Sequence, residues 1–231
     1  MNDRRISAAF PSRQTRLLFA YLVLCRPHPV TRDALVDALW GDSPPASAGS
    51  ALSVLISKLR TAIGGEMVRG RTELSIVLPV QTEVDVETAL SALHRAESSV
   101  ALGDWRRAWF SALTAQFIAR RTLMPDASAP WVEAWRDRLA DVRVRAVECY
   151  ARTCLELGGP ELPAAERASR ELVGLAPLRE TGHLMLMRSL AAAGNTAEAL
   201  AAYDRLRTLL RDELGISPSS DLQDTYRALL G

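Results

Sequence analysis

Glycine and proline divide the second half of this chain into segments whose lengths suit helices and whose patterns exclude strands. Between these breaks apolar residues recur every three or four positions, and no run alternates with the period of two that a half-buried strand requires. From Asp85 onward the pattern predicts helices over residues 86–102, 104–119, 130–157, 163–174, 178–193, 196–210 and 219–230. Because short connections favour antiparallel neighbours, this half is expected to be an all-α bundle.

A weak internal repeat refines that expectation. A helix over Tyr150–Leu157 ends at glycine and precedes an alanine-rich helix over Ala164–Leu172, and Leu184–Leu190 followed by Ala197–Leu206 repeats this arrangement. The spacing is tetratricopeptide-like and predicts a solenoid-like bundle with a groove or outer surface for a protein partner. Close helix approach is expected at the small residues Ala197, Ala199, Ala201 and Ala202.

The first 80 residues follow another order: helix, helix, loop, helix, hairpin. Apolar spacing predicts helices over 14–26 and 34–39, with Thr31 as the N-cap of the second, then a proline-shaped loop after Trp40. A third helix over 48–63 has Ser47 as its expected cap, and residues 67–78 read as two short strands around an Arg-Gly-Arg turn. The expected fold class is mainly α: an N-terminal winged helix-turn-helix with a small β-hairpin wing (1–80), then an all-α tetratricopeptide-like helical bundle (81–231).

The third helix is amphipathic in a way that suits a polyanion. Its leucine and isoleucine residues fall on one side, and no carboxylate occurs between Asp42 and Glu66. Hydroxyls bond base edges or phosphates and cations neutralise phosphates, so this face predicts contact with a duplex major groove. The alternative is a solvated face that happens to lack acids. The predicted DNA contacts are Ser50, Ser53, Val54, Ser57, Lys58, Arg60 and Thr61 on the helix, with Arg69 and Arg71 on the hairpin tip.

The charge of the chain is distributed unevenly along its length. Residues 1–80 hold 10 Lys and Arg against 6 Asp and Glu, a balance of +4, whereas residues 81–231 have a balance of −3. This asymmetry points to an anionic partner for the first half.

No sequence pattern predicts catalysis, a metal or a membrane. The three cysteines are odd in number and widely spaced, and the three histidines are scattered, so neither a disulfide framework nor a zinc site is expected. No serine–histidine–aspartate set has supporting turn chemistry, so we expect no enzyme and no cofactor. No apolar run approaches the roughly 20 residues that span a bilayer. The N-terminal residues lack the apolar core of a secretory signal, so the expected location is the cytoplasm.

Several motifs resemble a known family of regulators. Residues Pro29–Pro45 resemble the second helix and loop of OmpR-type winged helices, and Leu55–Arg60 resembles the core of their recognition helix. From Thr82 to the end the chain resembles the bacterial transcriptional activator domain. Its clearest markers are Leu175–Glu180, Tyr203–Arg207 and Asp212–Ser219. The combination resembles the SARP-type transcriptional activators over nearly the whole chain.

The resemblance implies which partners the chain binds and which of its residues would contact them. Such proteins bind direct-repeat promoter DNA as side-by-side protomers and help to recruit RNA polymerase. By position, the polar third-helix residues would face DNA, Arg69 and Arg71 would form the wing tip, and the loop over 40–46 and the helical half would face polymerase or a neighbouring protomer. Two features depart from the family: the usual N-terminal sheet is expected to be missing or vestigial, and the recognition face is rich in serine and has fewer arginines than is usual.

Two function classes therefore stay open at this point. The first is a sequence-specific transcription factor, favoured by the acid-free helix, the arginine-tipped hairpin and the charge split. The second is a helical-repeat adaptor whose winged helix is a protein-contact module, favoured by the thin cationic face. Retention on heparin or duplex DNA at low salt separates them, because phosphate binding depends on salt.

Overall fold

The computed structural model describes Phe10, residues 12–26 and residues 28–231. The described chain forms two compact units. The first holds the described residues up to Glu83 together with Thr122–Asp137, and the second holds Val84–Arg121 and Arg138–Gly231. The predicted fold class is confirmed: a winged helix-turn-helix with a small sheet is followed by a helical bundle. The expected loss of an N-terminal sheet concerns residues 1–13, of which 1–9 and 11 lie outside the described residues.

The first unit contains three helices and three strands before residue 83. They are α1 (Arg13–Cys25), β1 (Val30–Thr31), α2 (Arg32–Trp40), α3 (Ala48–Ile63), β2 (Val68–Arg69) and β3 (Glu73–Ile76), with one 3-10 turn at Gly65–Met67. Helix α3 has the bounds that its apolar spacing predicts. Helix α1 contacts α2, α3 and β3, which brings their apolar sides into one core. Its fully buried leucines are Leu18, Leu22, Leu35, Leu52, Leu59 and Leu74.

A side-chain cap explains where α2 begins but not where α3 begins. Thr31 Oγ1 accepts a hydrogen bond from the Ala34 amide at 3.2 Å, as its sequence position predicts. Ser47 occupies the corresponding position before α3, but its side chain makes no capping bond. The predicted Ser47 cap is therefore wrong. Its backbone angles, φ −114° and ψ 49°, lie outside the extended region from which a cap side chain reaches the helix amides.

The sheet has one strand more than the predicted hairpin. Its order is β1-β3-β2, all antiparallel, with Val30 opposite Leu74 and Val68 opposite Ile76. Strand β1 is only two residues long, which is too short to produce an alternating pattern in the sequence. Its pairing ties the start of α2 to the wing.

A distant segment completes the first unit. Residues 122–137 lie far along the chain, yet the Trp131 indole donates to the Ala38 carbonyl oxygen at 2.9 Å and its ring meets Tyr21 edge to face. Val132 is fully buried beside Leu17. The core of the winged helix is thus larger than its continuous sequence suggests.

The second unit is built from seven helices. They are α4 (Asp85–Ala101), α5 (Trp105–Ala119), α6 (Pro130–Leu157, whose residues from Arg138 belong here), α7 (Leu162–Leu175), α8 (Glu180–Ala192), α9 (Thr196–Leu214) and α10 (Ser220–Leu230). Helix α9 continues four residues past the predicted end and stops at Gly215, whose φ of +68° is left-handed. Neighbouring helices pack in chain order, α7 on α8 and α8 on α9.

Alanine sets the close packing of α4 and α5. Ala89, Ala92, Ala96, Ala108 and Ala112 have no exposed surface, so the two helix backbones approach closely. Of the alanines that were expected to pack in α9, Ala199 and Ala202 are buried whereas Ala197 and Ala201 are exposed. The correction follows from the helix period, which turns only one of the two sets towards the core.

Candidate nucleic-acid interface

The outer face of α3 forms a straight polar ridge. Ser50, Val54, Ser57 and Thr61 are all exposed and follow the spacing i, i+4, i+7, i+11. At 1.5 Å per residue the ridge is about 16 Å long. Val54 is 52% exposed, and such an apolar group suits contact with a thymine methyl. The ridge therefore combines three small hydroxyl side chains with one apolar side chain, Val54, and carries no carboxylate.

Lys58 lies beside the ridge and is exposed. It is the single lysine of the 231 residues. Within the part of the chain that the structure describes, no carboxylate lies within ion-pair distance of its ammonium group. An exposed cation on an acid-free helix is available to a phosphate.

Ser53 belongs to the same helix but is engaged within the protein. Arg32, the first residue of α2, donates from Nη2 to Ser53 Oγ at 2.7 Å and to the Gly49 carbonyl oxygen at 3.1 Å. Ser53 Oγ in turn donates to the Gly49 carbonyl oxygen at 2.8 Å. Arg32 Nη1 also reaches the Arg71 carbonyl oxygen at 3.4 Å. Arg32 thus links the start of α3 to the wing tip.

Arg60 is likewise turned towards the wing. It is half-buried, and it donates from Nε to the Val68 carbonyl oxygen at 3.2 Å and from Nη2 to the Gly70 carbonyl oxygen at 2.8 Å. A guanidinium has five donors in a fixed fork, so one carbonyl on β2 and one in the turn after it hold Arg60 in one orientation. Arg60 therefore fixes the hairpin against the end of α3.

The wing tip has a conformation that only glycine adopts easily. Gly70 has a φ of +88°, and a Cβ added there would lie 1.8 Å from the Glu73 carbonyl oxygen. The flanking side chains of Arg69 and Arg71 are exposed, and neither makes an ion pair in the described part of the chain. The tight turn therefore presents two arginines at the end of the hairpin.

Comparisons with known proteins identify the second part of the chain. Residues 84–230 match the family described as the bacterial transcriptional activator domain. The regulatory protein DnrI of Streptomyces peucetius is 30% identical over 95% of this chain and 84% of its own length. The regulatory protein AfsR of Streptomyces coelicolor is 31% identical over 95% of this chain. The chain belongs to the SARP-type transcriptional activators.

The fold supports the same family. A solved structure of Mycobacterium tuberculosis EmbR, in complex with a low-affinity phosphopeptide, has a TM-score of 0.83 and 25% sequence identity. That match covers 95% of this SARP-type chain and 59% of the EmbR chain. The chain spans 22% of the length of AfsR, so it corresponds to a part of that relative.

The most consequential residue that the site prediction omits is Arg32. It stands in the motif that resembles the OmpR-type helix, yet nothing in its local pattern distinguishes it from a solvated arginine at a helix start. Its partners lie 17 to 39 positions away, so their proximity depends on the folded arrangement of α2, α3 and the wing. Trp131 was missed for the same reason, since its partner Ala38 is 93 positions away.

Burial shifts the pKa values of the three cysteines and of one described histidine of this SARP-type chain. Burial raises the pKa of the Cys149 and Cys154 thiols to about 11 and also raises the pKa of Cys25. Protonated thiols are poor nucleophiles and poor metal ligands. Burial lowers the pKa of His183, whose Nε2 lies 2.9 Å from the Pro177 carbonyl oxygen. These groups are packing residues.

In the described ranges, no three His, Cys, Asp or Glu side chains come together in a way that would hold a metal ion. Over the same residues, no helix combines the length and the apolar character needed to cross a membrane.

Proposed function

We propose that this SARP-type chain is a DNA-binding transcriptional activator that inserts α3 into the major groove of promoter DNA. Residues 1–80 act as the DNA-binding domain, and residues 81–231 act as the activator domain. The observation that carries the proposal is the exposed, acid-free ridge of α3 with Lys58 beside it. A helix-turn-helix protein reads DNA with the outer face of this helix.

The proposed contacts divide into three roles. Ser50, Ser57 and Thr61 offer hydroxyls to base edges or phosphates, and Val54 offers methyl groups to thymine. Lys58, Arg69 and Arg71 neutralise phosphates, and none of the three makes an ion pair in the described chain. Ser53 and Arg60, which the sequence places among the contacts, act instead by supporting the wing through the bonds described above.

The proposed partners follow from the family. Double-stranded promoter DNA is bound at direct repeats by side-by-side copies of the chain. RNA polymerase or the neighbouring protomer contacts the loop over residues 40–46 and the helical half. The exposed Ser43, Pro44 and Pro45 of that loop support this assignment, since a proline-rich loop presents a shape that is fixed before binding.

Binding to duplex DNA as a function of salt tests the proposal. We expect the full chain to bind a mixed-sequence duplex at about 50 mM salt and to lose affinity steeply towards about 200 mM, because each phosphate contact releases a counterion. Selection from random duplexes then yields the operator. A chain that is retained neither on the duplex nor on heparin at low salt contradicts DNA binding.

One observation favours an adaptor as the second candidate. Of the four cations that were predicted to contact DNA, Arg60 is committed to the wing, which leaves Lys58, Arg69 and Arg71. A winged helix with so few available cations suits a protein contact. The same retention experiment decides between the two functions, since an adaptor passes through heparin.

A further inference from the structure

A second acid-free face lies on α5, in the helical unit. Phe110 is 69% exposed and Phe117 is 50% exposed, although phenylalanine usually packs inside. Arg106 and Arg120 are exposed on the same helix, and Arg121 follows its end. We call these five residues, Arg106, Phe110, Phe117, Arg120 and Arg121, the aromatic–arginine face. Exposed apolar groups that cluster in this way mark interaction surfaces.

An apolar pocket continues the face at one end. It has a volume of about 450 Å³ and lies between α5 and the turn that joins α6 to α7. Its apolar walls are Trp109, Phe110, Leu157 and Pro160, with Arg106 and Glu161 also lining it. The Trp109 and Phe110 rings meet edge to face with centroids 5.0 Å apart, which fixes the wall. The pocket is suited to one bulky apolar side chain.

The charge of α5 indicates which residues should flank that apolar side chain in the partner. Between Asp104 and Asp126 the sequence has four arginines and no carboxylate, although residues 81–231 as a whole have a balance of −3. Arg121 reaches Asp85 at 3.5 Å, and both side chains are more than half exposed, so this pair is weak. No ion pair involves Arg106, Arg107 or Arg120 in the described part of the chain. A partner with carboxylates therefore complements this face.

The pocket favours a protein partner over a nucleic acid. The guanidinium carbons of Arg120 and Arg121 each lie 4.8 Å from the centre of the Phe117 ring, so they compete with a base for that half-exposed ring. Duplex DNA also has no bulky apolar group that would fill the pocket. Aromatic and arginine side chains around a pocket are typical of the centres of protein interfaces.

We propose that the aromatic–arginine face and its pocket dock an acidic amphipathic segment of another protein, with one bulky apolar side chain in the pocket and carboxylates against the arginines. This inference goes beyond the proposed function and does not depend on DNA binding. Arg106 and Phe110 belong to both the face and the pocket, so they form the centre of the docking surface.

Selection from a displayed library of random peptides against the full chain tests the docking chemistry. We expect the enriched peptides to place Asp or Glu around a single Trp, Phe or Leu. Enrichment of peptides without carboxylates, or no enrichment, overturns the proposal. An enriched peptide is then synthesised with a fluorophore, and its binding to variants of the full chain is measured by fluorescence anisotropy.

Matched variants separate docking from folding. We expect Phe110→Ser and Arg106→Glu each to weaken the peptide by about tenfold, as anchors at an interface centre do. Leu230→Ser and Arg205→Glu alter an exposed leucine and an exposed arginine elsewhere on the helical unit, and we expect them to leave binding unchanged. Thermal unfolding by circular dichroism verifies that each variant folds.

Two further results overturn the docking proposal while leaving the proposed function intact. The first is a peptide affinity that neither Phe110→Ser nor Arg106→Glu changes. The second is hydrogen-exchange protection of residues 105–121 by duplex DNA that the selected peptide does not compete away, which assigns the face to nucleic acid.

Discussion

Helices α3 and α5 both carry cations and no carboxylates on their exposed faces, and the remaining side chains distinguish them. On α3 the neighbours of Lys58 are small hydroxyls and one valine, which fit the polar edges of a groove. On α5 the neighbours of the arginines are two exposed phenylalanines and an apolar pocket. Positive charge attracts an anionic partner to either face. On our two proposals, the hydroxyl side chains of α3 select DNA and the aromatic side chains of α5 select protein.

Charge reversal and aromatic loss should separate the two faces, and this is the largest effect that we expect. Lys58→Glu should weaken duplex binding by about thirtyfold, because it removes a phosphate contact and adds a repelled carboxylate. It should leave binding of the α5-selected peptide unchanged. Phe110→Ser should weaken binding of that peptide and leave duplex binding unchanged. For both variants, gel shift measures duplex binding and fluorescence anisotropy measures peptide binding. A variant that weakens the binding of both ligands equally would contradict the distinction between the two faces.

A substitution of Arg60 tests how much the wing contributes to DNA binding by α3. Arg60→Ala removes the donors for the Val68 and Gly70 carbonyl oxygens. We expect about a fivefold loss of duplex affinity, because a loosened wing must be ordered again when it binds. Hydrogen exchange over residues 68–76 should rise in the free protein, and Arg60→Lys should restore part of the affinity.

The direct-contact alternative for Arg60 has its own signature. If Arg60 instead contacts a phosphate, as its position in the sequence suggests, hydrogen exchange over residues 68–76 stays unchanged in the Arg60→Ala variant. The magnitude of the slope of log affinity against log salt concentration then decreases by about 0.9 in that variant.

Arg32 should produce a smaller effect of the same kind. Arg32→Ala leaves Ser53 with its Gly49 bond but removes the link to the Arg71 carbonyl oxygen. We expect about a threefold loss of duplex affinity with an unchanged salt slope, because the link is exposed and its bonds are modest. Ser53→Ala is the matched control and should change affinity little. A loss in Ser53→Ala as large as that in Arg32→Ala would assign base or phosphate contact to Ser53.

The parts of the fold that local pattern determines were predictable. The bounds of α3, the Thr31 cap and the turn at Gly70 each depend on residues within a few positions, so they are readable from spacing and residue type. Strand β1 was not predictable, because two residues give no pattern and its partner Leu74 lies 44 positions on. The packing of Trp131 against the first unit depends in the same way on contacts that only the folded chain creates.

The candidate site shows the same limit at the level of single side chains. The sequence identifies the polar face of α3, and the structure exposes Ser50, Ser57 and Lys58 as expected. It does not reveal that Arg60 is held by the wing, because the acceptors are backbone carbonyls that any sequence provides. The sequence does not predict that the phenylalanines of α5 are exposed, because an aromatic residue in a helical repeat normally indicates the core.

Selective acetylation of Lys58 tests the central claim most directly, since this is the single lysine of the chain. Mass spectrometry of the Lys58 peptide reports its reactivity with and without a mixed-sequence duplex. We predict that the duplex protects Lys58 at about 50 mM salt and that protection is lost as salt rises above about 200 mM. Equal reactivity with and without DNA, under conditions where the duplex is bound, would contradict the assignment of α3 as the DNA-reading helix.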